Sequence, residues 1–399
     1  MKLLFYMWGS NSEPMIRENF INLEMDLISC DKPCKHYSKD MELAWELITL
    51  VKQQKCDAIF SVNYFPILSL VCDTCKIPYY SWVYDNPHYT LFHESVSLDC
   101  NRIFLFDKNL LEYFTQRNIK TMHYMPLGAD IQFFEKRKKE CDHAQSYDSD
   151  VSFVGSLYTG EYNYYDQIDW DTDSDNRDFF EKIIQKGSFL FGGDYLNYYD
   201  LLSKEKETNQ KMNRLKHITG LNLGDEYKVD DFTFMMSSVL EKKMTVIERG
   251  EIIKNLSEMP YDFKLYTNSD CSLFSENVQL ANKKTVQYHL EMPCVFEKSK
   301  INLNLSLKSI HSGVPLRVMD IMACKGFLLS NEQKELLELF VPGKEIEIFS
   351  SKEECFDKID FYLSHEKLRK KIAASGYEKV KKCFSYEKLL KKMFDESFH

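Results

Sequence analysis

The sequence predicts an α/β protein made of two Rossmann-like halves in tandem, and three observations carry that reading. Short apolar strand-like runs alternate with helical patterns over residues 1–134. The alternation stops at a polar, charged stretch, "EKRKKECDHAQSYDSD" (135–150), and begins again at "VSFVGSL" (151–157). A chain of 399 residues also suits two domains of ordinary size.

In the first half the strand-like runs are "KLLFYMW" (2–8), "AIFSVN" (58–63), "PYYSWVYD" (78–85), "RIFLFD" (102–107) and "TMHYMPL" (121–127). The stretch "EPMIRENFINLEMDLISC" (13–30) reads as helical, with Pro14 in its first turn. After 151 a long helical insertion, about 160–244, precedes the helix "TVIERGEIIKNLSE" (245–258). Then come strand-like "FKLYTN" (263–268), "TVQYHL" (285–290), "INLNLSL" (301–307), "GFLLSN" (326–331) and "EIEIFS" (345–350), ending in a helical tail. The expected division is therefore 1–134, a linker at 135–150, a second half at 151–384 and a last helix at 385–399. Halves of this kind bind ligands outside the carboxyl ends of their strands.

A net charge of −10 argues against a general nucleic-acid binder. No stretch approaches the roughly 20 apolar residues of a membrane span, and the start "MKLLFYMWGSNSEP" reads as a strand rather than a signal peptide. Twelve cysteines without a secretion signal suit reduced thiols and a cytoplasmic setting. "CDTC" (Cys72, Cys75) and "CDKPCKH" (Cys30, Cys34, His36) have no second pair nearby and do not read as metal sites.

The most informative stretch is "HSGVPLRVMDIMACKGFLLS" (311–330). It reads as a loop at a strand's carboxyl end, a short helix with Pro315 just inside its start, a left-handed stop at Gly326, and the next strand. Gly313 lets backbone approach a ligand, and the free amides of the helix start suit a phosphate. Arg317 works against the helix dipole unless an anion sits there, and Asp320, one turn on, is placed to accept ribose hydroxyls. A surface ion pair between Arg317 and Asp320 is the alternative from spacing alone.

The second half resembles the C-terminal domain of glycosyltransferases of the GT-B fold. The likeness is carried by "VSFVGSL", "FKLYTNSD", "VQYHLEMPCVFEKSKINLNLS", the 312–331 stretch and "GYEKVKKCFSYEKLLKKM". It is nearest to the CgeB-like, spore-maturation group, whose N-terminal pattern is similar to "YYSWVYDNPHYTLF", "NRIFLFDKNLLEYF" and "MPLGAD". The resemblance implies two facing Rossmann-like domains with a cleft between them, and transfer of a sugar from a nucleotide-sugar donor to a glycan, lipid-linked or protein acceptor. It carries donor binding to Gly155, Ser312, Gly313, Val314, Arg317 and Asp320, and lets the last helix cross back onto the first half. It departs at one point: retaining families carry a carboxylate eight residues before the second one, and here that position is Ser312. A non-catalytic nucleotide-sugar-binding module, or an epimerase or phosphorylase on the same fold, therefore stays open.

Other residues are candidates from their positions. Asp85 and His88 in "VYDNPH" follow a strand and could take a proton from an acceptor, although an Asp-Asn-Pro turn explains them too. His311 and Arg249 could meet the diphosphate. "WDTDSDN" (170–176) reads as an acidic loop capping a helix rather than a metal motif, so neither metal nor cofactor is expected. The lysines of the tail, with Arg369, form a basic surface that could touch an anionic membrane face, with a solvated face as the alternative.

Overall fold

A computed structural model describes residues 1–141, 144–272 and 274–394. Residues 142–143 of the expected linker and 395–399 of the expected last helix lie outside the described residues. The chain divides into two compact units. The first holds Met1–Asp130, Leu223–Val229 and the end of the chain from Cys383; the second holds Ile131–Asn222 and Asp230–Lys382.

In the first unit, β1 (Lys2–Tyr6), α1 (Glu13–Asn22), β2 (Asp26–Cys30), α2 (Met41–Gln54), β3 (Ala58–Val62) and α3 (Pro66–Cys75) lead to β4 (Tyr79–Trp82). Then follow β5 (Asn101–Leu105), α4 (Lys108–Thr115) and β6 (Met122–Tyr124). The sheet is parallel throughout, in the order β2-β1-β3-β4-β5-β6. Its central strands are buried on both faces, which is why they read as continuous apolar runs. The edge strand β2 was hidden in the sequence for the opposite reason. Only Cys30 of its five residues is buried, so "DLISC" lacks the apolar signature and its pattern merges with the preceding helix. That helix stops at Asn22, and Glu24 takes a left-handed conformation before the strand.

The second unit begins with α5 (Ile131–Lys138), β7 (Ser149–Val154), α6 (Ser174–Ser188), α7 (Gly192–Lys204), α8 (Lys206–Thr219), α9 (Asp231–Met235) and α10 (Glu241–Glu258). It continues through β8 (Phe263–Tyr266), α11 (Glu276–Ala281), α12 (Met292–Lys298), β9 (Ser299–Asn304), α13 (Leu316–Ala323) and β10 (Leu328–Asn331). It closes with α14 (Lys334–Leu339), β11 (Glu347–Phe349), α15 (Lys352–Ser364) and α16 (Glu366–Cys383). This sheet is also parallel, in the order β11-β10-β9-β7-β8. The order reverses between β7 and β9, the point at which open α/β sheets hold ligands.

Several expectations need correction here. The segment 135–150 is no plain linker, because α5 runs through its first residues and β7 begins at Ser149. "TVQYHL" forms no strand; Gln287 N donates to Glu291 Oε2 at 2.7 Å as the chain turns into α12. Residues 223–229, inside the expected insertion, belong to the first unit, where His93 and Tyr227 form a β-bridge. In the 311–330 stretch, Pro315 is the N-cap of α13 rather than inside it. The left-handed residue after α13 is Lys325, not Gly326. Gly326 is needed for space instead: a Cβ there would sit 2.7 Å from Phe296 O and 2.8 Å from Asn302 Nδ2.

The last helix, α17 (Tyr386–Met393), lies in the first unit. Leu389, Leu390 and Met393 are buried while Lys388, Lys391 and Lys392 are exposed. Ala129 N donates to Phe384 O at 3.0 Å, and the Phe394 ring packs against Phe20 and Tyr80.

Candidate functional site

The second unit's site grows from α10. A buried π-helical turn, Met236–Leu240, precedes it, a feature that recurs at functional sites. Glu241, Thr245, Glu248 and Arg249 then fall at helical spacing on one face, and all four are buried. Each grips the chain after β9 or the residue before that chain begins to turn. Arg249 Nη2 donates to Leu305 O. Thr245 Oγ1 accepts from Lys308 N at 3.1 Å. Glu248 pairs with Lys308 Nζ at 2.6 Å, and Glu241 Oε1 meets His311 Nε2 at 2.7 Å.

Arg249 joins the two strands of the switch point. Its Nη1 donates to Ser156 O just beyond β7, at 2.5 Å, while Nη2 holds Leu305 beyond β9. The Phe153 and Tyr158 rings flank it. Burial pushes its pKa down, Tyr158 and Glu248 oppose that, and the Arg317 guanidinium adds to it. Gly155, between Val154 and Ser156, donates its N–H to Tyr266 O at 3.1 Å, so it completes the strand end.

His311 is held rather than loose. Glu241 Oε1 accepts from Tyr195 Oη at 2.6 Å as well as meeting the imidazole, and Tyr199 packs on the ring at 4.3 Å. Ser312 Oγ donates to Glu335 Oε1 at 2.9 Å, and Glu335 N donates back to Ser312 O. The serine at the missing-carboxylate position is therefore buried against α14. Gly313 and Val314 are buried beside it, and α13 starts one residue after Pro315.

Arg317 and Asp320 do share a face, 3.8 Å apart. Arg317 lies over the Phe296 ring, and its Nη1 touches Met292 Sδ. Asp320 is only 1% exposed, and the Tyr288 hydroxyl sits 3.0 and 3.1 Å from its two carboxyl oxygens. Burial pushes its pKa up to about 7, against the opposing pull of Arg317 and Tyr288. The alternative of a surface ion pair does not describe them: the acid is buried beside a partly exposed cation.

The first unit carries the remaining candidates. Asp85 follows β4, is exposed, and accepts from Asn63 Nδ2 at 2.7 Å. His88 Nε2 sits 3.0 Å from Tyr64 O and 3.2 Å from Tyr64 N, so backbone holds the ring. Burial pushes its pKa down and keeps the ring neutral, which suits fixing the 85–88 turn. Where β1 and β3 end, Glu13 accepts from Trp8 N at 2.9 Å and Gly9 N at 3.0 Å, and Trp8 Nε1 donates to Val62 O at 2.8 Å.

In the acidic loop "WDTDSDN", Asp173 stands at the N-cap position of α6, but its carboxylate bonds side chains rather than the helix amides. Asp169 Oδ1 accepts from Asp171 N at 3.2 Å, and Asp173 binds Asn176 and Arg214. Among the described residues, no group of three His, Cys, Asp or Glu side chains is arranged to hold a metal. No described helix is long and apolar enough to cross a membrane. Of the basic tail, Arg369 is buried and donates to Tyr362 O, while Lys370 and Lys391 pair with Glu366 and Glu387 one turn earlier.

Residues 249–395 match the model of the glycosyl transferase-like family. No curated protein matches the chain in sequence. Among solved structures, Alr3699/HepE of Anabaena in complex with UDP-glucose is similar over 98% of each chain, at 9% identity and a TM-score of 0.54. Sucrose-phosphate synthase of Thermosynechococcus elongatus is similar over 98% of this chain and 97% of its own, at 8% identity and a TM-score of 0.54. Two parallel Rossmann-like sheets in this arrangement of elements make the fold GT-B-like.

Two outcomes follow from the buried charges. Lys308→Met alone strands Glu248 without its cation and should destabilise the protein by about 3–5 kcal/mol, read by denaturant unfolding. Glu248→Leu combined with Lys308→Met should recover most of that loss; if the double variant is no more stable than the single, the pair does not act as a unit. For Asp320, the unfolded carboxyl ionises near 3.8 while the folded one holds its proton to about 7. Its stabilising share is therefore present below pH 3.8 and lost as pH rises through 7. The melting temperature of Asp320→Asn minus that of the natural protein should rise by several degrees between pH 5 and pH 8; a constant difference would contradict the burial account.

Proposed function

We propose that this protein is a glycosyltransferase that takes its sugar from a nucleotide-sugar donor and holds the nucleoside diphosphate at the β7–β9 end of the second unit. The observation that carries the reading is that Arg249 ties the ends of β7 and β9 together at the switch point of that sheet, from which the chain turns into the start of α13 and Arg317. The glycosyl transferase-like match begins at Arg249 and takes in β9 and α13, while β7 and Ser156 precede it. A UDP-hexose is the proposed donor, in line with the UDP-glucose held by the similar HepE structure. Membership of the CgeB-like group is the finer proposal, resting on the motifs at 79–92, 101–114 and 312–331.

In the transfer, the bond between the sugar's anomeric carbon and the diphosphate oxygen breaks as an acceptor oxygen bonds to that carbon and gives up its proton. Negative charge grows on the leaving diphosphate. The positive end of α13 and the Arg317 guanidinium offset that charge. Arg249 acts differently, because both its Nη groups are spent on backbone carbonyls: it fixes the two strand ends between which the phosphates would lie. Gly155, Gly313 and Val314 supply close-approaching backbone, and Glu241 fixes the His311 ring beside them. Asp320 would take a ribose hydroxyl, sharing the carboxylate with Tyr288, since a carboxylate has about four acceptor sites.

Asp85 is the proposed proton acceptor, being the exposed carboxylate after β4, with His88 holding its turn. The acceptor is a glycan, a lipid-linked sugar or a protein. A lipid-linked acceptor at an anionic membrane face would meet the exposed lysines of α16 and α17. Neither a metal nor another cofactor is part of the proposal.

Thermal unfolding against UDP, GDP, CDP, ADP, dTDP and UDP-glucose tests it. A diphosphate at 100 times its Kd should add about 2.7 kcal/mol, a shift of a few degrees. UDP should give that shift and Arg317→Ala should lose it. No shift with any nucleotide would sink the reading. Conversion of UDP-glucose with no acceptor present would instead mark an epimerase.

A further inference from the structure

We propose that the acceptor is a saccharide, held by stacking on the exposed rings of Trp8 and Tyr37 at the carboxyl end of the first unit's sheet, beside Asp85. The inference rests on the reading of Asp85 as the proton acceptor, and it names the class of molecule that meets that carboxylate.

The platform forms where β1 and β3 end. Trp8 follows β1 and is 42% exposed, yet its ring is fixed, because Nε1 donates to the carbonyl of Val62, the last residue of β3. The buried Glu13 carboxylate holds the backbone N–H groups of Trp8 and Gly9. Tyr37, between β2 and α2, is 50% exposed. Both rings pack on the buried Phe65 ring, Trp8 at 6.4 Å and Tyr37 at 5.6 Å. Two supported aromatic rings are thus open to solvent over one shared neighbour.

The exposed Asp85 carboxylate is tied to the same strand end. Asn63, the residue after Val62, is buried with a left-handed φ of 63°. Its Nδ2 donates to Asp85 Oδ2 at 2.7 Å, and its Oδ1 accepts from Tyr84 N at 2.8 Å. Consecutive residues therefore hold the indole and the carboxylate. A Cβ on Gly9 would meet nothing within 4 Å, so the space beside this loop is open.

These groups select the occupant. Aromatic rings carry negative faces, which suit the weakly positive C–H face of a sugar ring. A sugar hydroxyl can donate to a carboxylate, which only accepts. A lipid chain would need continuous apolar surface, whereas the chain beside the indole runs Gly9, Ser10, Asn11 and the carboxylate is Asp85. A nucleic acid would bring phosphates to that carboxylate on a chain of net charge −10.

The test is saturation-transfer NMR of the full chain with the methyl glycosides of glucose, galactose, mannose, rhamnose and N-acetylglucosamine, without nucleotide. Transfer to the ring C–H protons of at least one glycoside is expected. Trp8→Ala and Tyr37→Ala should each weaken its affinity about tenfold. Phe361→Ala, which removes an exposed ring of the second unit, should change nothing. Tyr37→Ala deletes a half-exposed ring, so it remains informative should Trp8→Ala not fold. Absence of transfer to all five glycosides overturns the proposal, as does equal affinity in the natural chain and both platform variants. The melting shift given by UDP should survive in both variants. Glycoside binding lost in those variants, with no UDP shift in the natural chain, would uphold the saccharide site and sink the donor reading alone.

Discussion

The grip of α10 on the chain beyond β9 is the interaction on which the second unit's site depends. A loop at a strand end is ordinarily the most variable part of an α/β sheet. Here four buried side chains of one helix fix it at Leu305, Lys308 and His311. Because Arg249 holds Ser156 in the same reach, the ends of β7 and β9 are fixed against each other. The 312–315 turn and α13 then start from a defined point, and Ser312 is tied from the far side by Glu335. The site is thus set by polar contacts made in a dry environment, where each is strong when satisfied and costly when broken.

This arrangement also separates holding from binding. Arg249, Glu248 and Lys308 are spent on the scaffold, whereas Arg317 is partly exposed at the start of its helix. A guanidinium at a helix N-terminus opposes the dipole, and an anion there relieves the conflict. Asp320 balances only part of this charge, since its own burial favours the protonated form. The glycosyltransferase reading needs a place where negative charge is wanted, and these residues make one.

Much of this was legible in the sequence. The buried central strands announced themselves as apolar runs, and "SGVPLRVMD" revealed a strand-end turn with a cation and a carboxylate on one helix face. The grip on the β9 loop was not legible in the same way. Glu241, Thr245 and Glu248 have the spacing of a helix stripe, but a polar stripe reads as solvent-facing until its partners are known. Those partners, Lys308 and His311, lie about 60–70 residues further on. β2 was missed because an edge strand keeps polar residues, and "TVQYHL" misled because its alternation had no neighbouring strand to pair with. Asp85 and His88 were placed correctly after a strand. Only the structure separates them, one exposed and the other held by the Tyr64 backbone with its pKa pushed down by burial. The return of residues 223–229 and α17 to the first unit is a matter of tertiary packing, which no local pattern encodes.

Hydrogen exchange of the whole chain, with and without UDP, tests the site most directly. The account predicts that UDP slows exchange at the amides of 153–158 and 305–317 together, since Arg249 makes the two strand ends one unit. In Arg249→Ala the protection should be lost from both segments at once. Protection confined to one segment, or appearing only elsewhere in the chain, would contradict it.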